Sequence, residues 1–505
     1  MRPSRHIPLA AVVSLAIAAA LAFPSIASAY VLDRWYVVML GEQRAGWMHF
    51  REVDEGWGLT TLNAIHLEVA RGPATIAVDI TSSFIETNEG EPFELTTTES
   101  YGADPVTRTF RWQDDGSIKV TVEQQGQSTL QTLDPIPGEW LTPVEARRLV
   151  ATSIMEEAPE FEYTMLDFIT GATTTHVKST LIGPTAVKVM GKTLPAVKLT
   201  STQSTAPGVE STEYIGDYGT PVKTVLNVGG LEMTVLLSEP ELAQSDLEPA
   251  EIMMRTFVTP SRAIAAPRSL RRASYILGVP EGRMPDLITT SVQHVERIDP
   301  QHVRVVIDLD TPQEAPDDDV RDSRSAFSSA MISWRDTKIQ ELGKEAVGAM
   351  TDANPVQKAE LARRFVYQFV EDKSLDVGFA SASEVCRTRQ GDCTEHATLL
   401  AAMLRTQGIR SRVVSGLIYA EEFAGRSRIF GYHMWTQALV KDSSGAYRWV
   451  DVDGTLPADV PFDATHIALS ASAMTDGESI NSMAALAPLL GRLEVEVEST
   501  GPQTP

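Results

Sequence analysis

Between Tyr30 and about Leu247 the chain alternates apolar and polar residues through one short segment after another, a period-two pattern that leaves few architectures open. "RWYVVMLGEQRAGWMHF" reads as two strands about a turn. "PATIAVDITSSFIET", "FELTTTESYG", "VTRTFRWQDDGSIKVTVEQQG" and "TPVKTVLNVGGLEMTVLLSE" continue the style, rich in Val, Thr, Ile and aromatic residues, with Asp-Gly or Gly-Gly at the bends. Side chains two apart share one face of a strand, and strands joined by tight turns pair antiparallel. Only "TPVEARRLVATSIM" interrupts with a helical pattern. The pattern predicts a large antiparallel sheet or half-barrel.

Two other textures follow. From about 248 to 335 the chain holds the extended stretches "RRASYILGV" and "HVRVVIDLDTP". It ends in the acidic run Asp317-Asp318-Asp319, read as a solvated linker because it lacks the glycine and spaced oxygen ligands of a calcium loop. From about 336 the pattern turns helical. "PVQKAELARRFVYQFVEDKSL" puts Ala359, Leu361, Phe365, Val366 and Phe369 near one stripe behind an Asn354-Pro355 start. The expected division is a signal peptide at 1–29, an antiparallel β-sheet domain at 30–247, a small β-rich linking domain at 248–335 and a mixed domain at 336–500. The fold class is α+β, and 505 residues are too many for one ordinary core.

A net charge of −24 and a pI near 4.8, spread along the chain, argue against a nucleic-acid partner, which needs clustered Lys and Arg. They also disfavour an anionic membrane surface. At the N-terminus Arg2 and Arg5 precede the apolar stretch Leu9 to Phe23 and then Ala27-Ser28-Ala29, the order of a secretory signal peptide cleaved after Ala29. The apolar stretch falls short of the roughly 20 residues of a spanning helix. An uncleaved anchor is the lesser reading, and no stable membrane insertion is expected. The expectation is an exported protein, periplasmic or extracellular.

An exported chain of this size with only Cys386 and Cys393 is not a disulfide scaffold. Either the two pair, or at least one is kept for chemistry. "GDCTEHATLLAAMLRTQG" specifies a helix with an apolar face of Leu399, Leu400, Met403 and Leu404 and a stop at Gly408. Cys393 then sits in the first turn, where unpaired N–H groups and the helix dipole favour a thiolate, and Gly391 lets the backbone turn sharply before it. A cysteine nucleophile needs a base, and His433 is the next candidate. Strands at 430–440 and 446–453 joined by "KDSSG" would put Asp453 directly across from His433 if Lys441 opposes Gly445, with Asp451 as the fallback partner. His396 reads as a packed core histidine or a cleft wall, Tyr432 as a cleft residue, and Trp435 and Trp449 as closing the sheet face behind the pair. A zinc set of Cys386, Cys393, His396 and His433 matches no familiar spacing. The final "SMAALAPLLGRLEVEVES" reads as a helix and an edge strand completing this core.

Three segments, "GDCTEHATLLAAMLRTQGIRSRVVSGLIY", "GYHMWTQALV" and "WVDVDGT", together resemble the transglutaminase-like core of the papain-like cysteine superfamily over about residues 360–470. Met434 stands where that pattern has a small residue, and Gly454 where proline is common. The resemblance implies a helix-start cysteine packed on an antiparallel sheet, with Cys393 as nucleophile, His433 as general base and acid, and Asp453 as orienting acid. It implies a secreted acyl-transfer enzyme that acts on amide or peptide bonds through a thioester. Hydrolysis is favoured over amine transfer because water is the abundant acceptor. The implied partner is a protein or peptide substrate, cell-envelope peptides included, and no cofactor is implied. The alternative is a binding or assembly module with an inactive transglutaminase-like core, in which the β-rich front is the working part.

Overall fold

The alternating segments of the first half become strands that pair in chain order. The computed structural model describes residues 29–501 apart from 72–73, 102–103, 170, 172, 206–208, 229–230, 248, 252, 351, 376, 443 and 476–488. The expected signal peptide and most of the helix expected in "SMAALAPLLG" lie outside the described residues. The strand Ala29–Leu40 sits mid-sheet between Gln43–Asp54 and Leu231–Ser238, pairing Trp35 with Ser238 and Leu40 with Met233. From this centre two antiparallel meanders run outward to the edge strands Gln127–Leu133 and Glu160–Asp167. A short strand, Ala250–Glu251, adds a parallel partner to Gly58–Arg71.

The expected interruption is the helix Pro143–Met155. The Thr142 hydroxyl accepts the Glu145 N–H while the Glu145 carboxylate accepts the Thr142 N–H, so two first-turn donors are satisfied reciprocally. Arg147 then reaches the sheet and donates to both oxygens of buried Glu52 at 2.6 Å. That planar fork on a carboxylate fixes the helix in place.

A second sheet runs in the order Gln293–Arg297, His302–Asp308, Arg272–Gly278, Glu494–Thr500. Its last strand corrects an expectation: the C-terminal strand edges this sheet and not the sheet behind the cysteine helix. The reason lies in "EVEVES", whose Val495 and Val497 bury against the cluster of Tyr275, Leu277 and Val305.

The third sheet carries the site. Its strands are β1 (Arg410–Phe423), β2 (Arg426–Lys441), β3 (Tyr447–Val452) and β4 (Ile467–Ser472), in the order β3-β2-β1-β4. Four helices precede it: α1 (Thr337–Val347), α2 (Pro355–Phe369), α3 (Ala382–Thr388) and α4 (Cys393–Thr406). Helix α4 packs on β1 and β2 and on the other three helices. It is therefore buried on every side from Thr394 to Arg405, beyond the single apolar face read from sequence. Its four predicted core residues, Leu399, Leu400, Met403 and Leu404, are fully buried, and each such side chain contributes about 1.5–3 kcal/mol. The polar side chains it buries are hydrogen-bonded except at His396 Nε2. Thr398 donates to the Thr394 carbonyl at 2.7 Å, and Arg405 donates to the carbonyls of Phe327, Ser411 and Ala473.

Candidate active site

Cys393 opens α4, and the sequence just before it dictates how. Asp392 is the N-cap, accepting the Thr394 N–H at 2.9 Å, and Glu395 closes a capping box by accepting the Asp392 N–H at 2.9 Å. The second Glu395 oxygen accepts the Ala380 N–H at 2.9 Å and ties the incoming loop to the helix. Burial, helped by the neighbouring Asp392, pushes the Glu395 carboxyl up to about 8. Gly391 has φ +144°, in the region that favours glycine, and a Cβ there would lie 2.2 Å from Glu395 Cβ. The glycine is thus required twice over, for its backbone and for the space Glu395 occupies.

His433 lies on β2 with its Nε2 2.7 Å from Asp453 Oδ2. The Cys393 side chain interacts with the same ring and favours its charged form. Burial opposes charge on His433, but the Asp453 carboxylate and the contact with Cys393 outweigh it and push the ring up to about 9. Burial likewise opposes charge on Asp453, yet the rings of His433 and His466 hold its carboxyl well below the usual range. Its Oδ1 accepts the Thr455 N–H at 2.8 Å and hydroxyl at 2.7 Å.

The register differs from the expected one. Lys441 pairs with Tyr447, not Gly445, and Asp453 lies just past the end of β3. A shift of two keeps the side chain on the same face, so Asp453 meets His433 diagonally from the turn. The fallback, Asp451, is engaged elsewhere: its Oδ1 accepts Trp435 Nε1–H and Gln437 Nε2–H, each at 2.7 Å.

Residues 341–454 match the family model of the transglutaminase-like superfamily, which includes cysteine-dependent acyl transferases. This segment is a transglutaminase-like core. Uncharacterized proteins of Mycobacterium bovis and Mycobacterium tuberculosis are similar at 27% identity over 99 residues, 19% of this chain and 32% of theirs. The match thus spans about a third of those curated relatives. Among solved structures, a β-barrel-like protein from Brucella abortus is similar at 14% identity with a TM-score of 0.32, over 41% of this chain and 95% of that one. The periplasmic domain of TgpA from Pseudomonas aeruginosa is similar at 18% identity with a TM-score of 0.26, over 42% of this chain and 87% of that one. No helix among the described residues is long and apolar enough to cross a membrane.

Beside this core lies a group that the sequence spacing did not point to. His466, at the entry to β4, is buried with its Nε2 3.3 Å from Asp453 Oδ2. It follows Asp453 by thirteen residues with no helical or strand period between them, so only the folded sheet brings it in. His396 is the packed histidine expected, its Nδ1 2.5 Å from the Asp392 carbonyl and its ring buried. At the two departures from the family pattern, Met434 Sδ accepts the Thr394 hydroxyl at 3.4 Å, and a Cβ on Gly454 would come within 3.2 Å of Val366.

Trp435 packs beside the pair, its ring 6.2 Å from that of His433, whereas Trp449 lies farther along the same face against Arg412. Two readings are corrected. Tyr432 does not line the cleft but packs into the cluster with Leu417 and Phe430. The acidic run is not wholly a solvated linker, because Asp319 Oδ2 accepts Arg412 Nη1–H and Trp449 Nε1–H at 2.8 Å each. Cys386 and Cys393 are both free thiols; Cys386 is half-buried on α3 facing α1, and burial raises its thiol. The zinc set is not brought together, since Cys386 and His396 face other neighbours. His433, Asp453 and His466 offer three atoms within 4.8 Å of one another. Yet both imidazoles address one carboxylate oxygen, one of them at 2.7 Å. Ligand atoms around a tetrahedral zinc with bonds near 2.0–2.1 Å lie about 3.3 Å apart, so this set suits proton sharing better than a metal.

Proposed function

We propose that this chain is an exported cysteine-dependent acyl-transfer enzyme acting on amide or peptide bonds, with hydrolysis the favoured outcome. The observation that carries the reading is the line from Cys393 through His433 to Asp453, with the sulfur at a helix start and the carboxylate fully buried. In this reading the chemistry belongs to residues 336–500, behind the linking domain at 248–335 and the sheet domain at 30–247. Export rests on the charged, apolar and Ala-Ser-Ala order of the first 29 residues.

The Cys393 sulfur attacks the carbonyl carbon with His433 as imidazolium. The carbonyl oxygen takes up negative charge, for which the first-turn N–H of Cys393 is the proposed donor; the capping interactions engage the amides of Asp392, Thr394 and Glu395 instead. As the C–N bond breaks, His433 gives its proton to the leaving amine and an acyl thioester remains. Water then attacks the thioester, His433 takes the water proton, and acid and thiolate are released. An amine in place of water gives the transfer product. Asp453 fixes the ring so that Nδ1 faces the sulfur throughout.

A direct test incubates the reduced, mature chain with glutamine-containing peptides, with and without a primary amine, and follows new termini, released ammonia and incorporated amine by mass spectrometry. New termini or ammonia are expected without added amine. Because His433 must be protonated to serve the leaving group, kcat/KM is expected to hold to about pH 9 and to fall as pH rises through that value. No turnover of any peptide by protein with a free Cys393 would favour a binding module instead.

A further inference from the structure

Asp453 has two imidazoles and not one. Its Oδ2 lies 2.7 Å from His433 Nε2 and 3.3 Å from His466 Nε2. The other nitrogen of His466, Nδ1, is 3.1 Å from the Asp463 carbonyl oxygen and 3.6 Å from Asp463 Oδ1. Both nitrogens of this ring therefore face acceptors only. A neutral imidazole would turn a lone pair toward one of them, in a place where Asp453, Asp463 and His466 are all buried from water. Only the imidazolium satisfies both sides.

The surroundings suit a cation. Phe462 stacks on the ring at 4.0 Å and Trp435 meets it edge-on at 5.4 Å. The charged or titratable groups facing it are Asp453, Asp463, the Asp451 carboxyl and the His433 ring 5.9 Å away. Arg268, one-third exposed, bridges Asp463 at 2.5 Å. From the surface inward, acid and base alternate: Arg268, Asp463, His466, Asp453, His433.

From this geometry we infer that His466 is a positioning residue, a fixed imidazolium that keeps Asp453 ionised while His433 alternates between its charged and neutral forms. The inference rests on the proposed roles of Cys393, His433 and Asp453. When His433 passes its proton to the leaving amine, a fully buried carboxylate without another cation would draw that proton back. His466 supplies the standing counter-charge, so Asp453 stays a carboxylate and the ring of His433 keeps its orientation. Burial opposes charge on His466, but the hydrogen bonds to Asp453 and Asp463 outweigh it and push the ring up to about 9.

The test needs no substrate. Iodoacetamide alkylation of Cys393 is followed against pH in the full mature chain, in His466→Gln and in His433→Ala. In His466→Gln the acid limb of the alkylation profile is expected to move up by about one pH unit, as Asp453 protonates more readily. An unshifted limb overturns the inference. Should His466→Gln fail to fold, the imidazole 15N shifts of His466 in the wild-type chain decide: doubly protonated from pH 6 to 8 supports the fixed cation, and a neutral tautomer at pH 7 contradicts it. The two readings separate cleanly. Alkylation indifferent to His433→Ala sinks the proposed line itself, whereas alkylation sensitive to His433→Ala but not to His466→Gln sinks only the role of His466.

Discussion

Asp453→Asn is expected to lower kcat for peptide hydrolysis by a factor on the order of 10⁴, because an amide cannot hold His433 in the tautomer that faces the sulfur. The same change leaves the rings of His433 and His466 buried at 2.7 and 3.3 Å from a neutral group. Breaking a buried pair from one side costs about 3–5 kcal/mol, so the transition of this core in urea should move to lower denaturant. The loss should also depend on pH in a defined sense. Both histidines are raised in the folded chain to about 9, so what the pair contributes to stability is fully present below the unfolded value of about 6.5 and is lost as pH rises through about 9. The Asp453 part runs the other way, since its folded value is depressed: it is present above the usual carboxylate range and lost as pH falls through the lowered value. The wild-type chain should therefore lose its advantage over Asp453→Asn at both extremes. Equal stability of the two chains at pH 7, or activity within tenfold, would contradict the central placement of Asp453.

The second large effect is kinetic alone. Cys393→Ser should remove turnover by a factor on the order of 10⁵ or more, as loss of a nucleophile does when the residues act as a unit. The side chain sits at the helix start and is only partly buried, so urea stability should change by no more than about 1 kcal/mol. Retained turnover in this variant would require a different nucleophile.

Much of this site is legible in the sequence because local rules govern it. The Gly391-Asp392-Cys393 entry follows from helix capping, and Asp392 and Glu395 make the reciprocal bonds that such an entry needs. Strand periodicity identifies the face that His433 shares with Trp435. The hairpin register differs from the one the spacing predicts for a small reason. The Asp442 N–H donates to the Ala446 carbonyl and Asp442 Oδ1 accepts from Ser444, so the loop closes one position later on each side, with Gly445 inside it at φ +94°. An even shift spares the pairing, and an odd one would have turned Asp453 away. His466, Asp463 and Arg268 were not legible, because they meet only after β4 joins β1 and a segment of the middle unit packs alongside. The C-terminal strand was misplaced on similar grounds. Its alternation specifies a strand with one buried face but not the sheet that receives it.

The most direct measurement is the rate at which iodoacetamide labels each cysteine of the reduced wild-type chain at pH 6 to 7, compared with His433→Ala. Cys393 should label at least tenfold faster than half-buried Cys386 and lose that advantage in the variant, because the proposed reading makes His433 the group that activates this sulfur. Equal labelling of the two cysteines, or a Cys393 rate indifferent to His433, would contradict an activated nucleophile and leave the core a scaffold for binding.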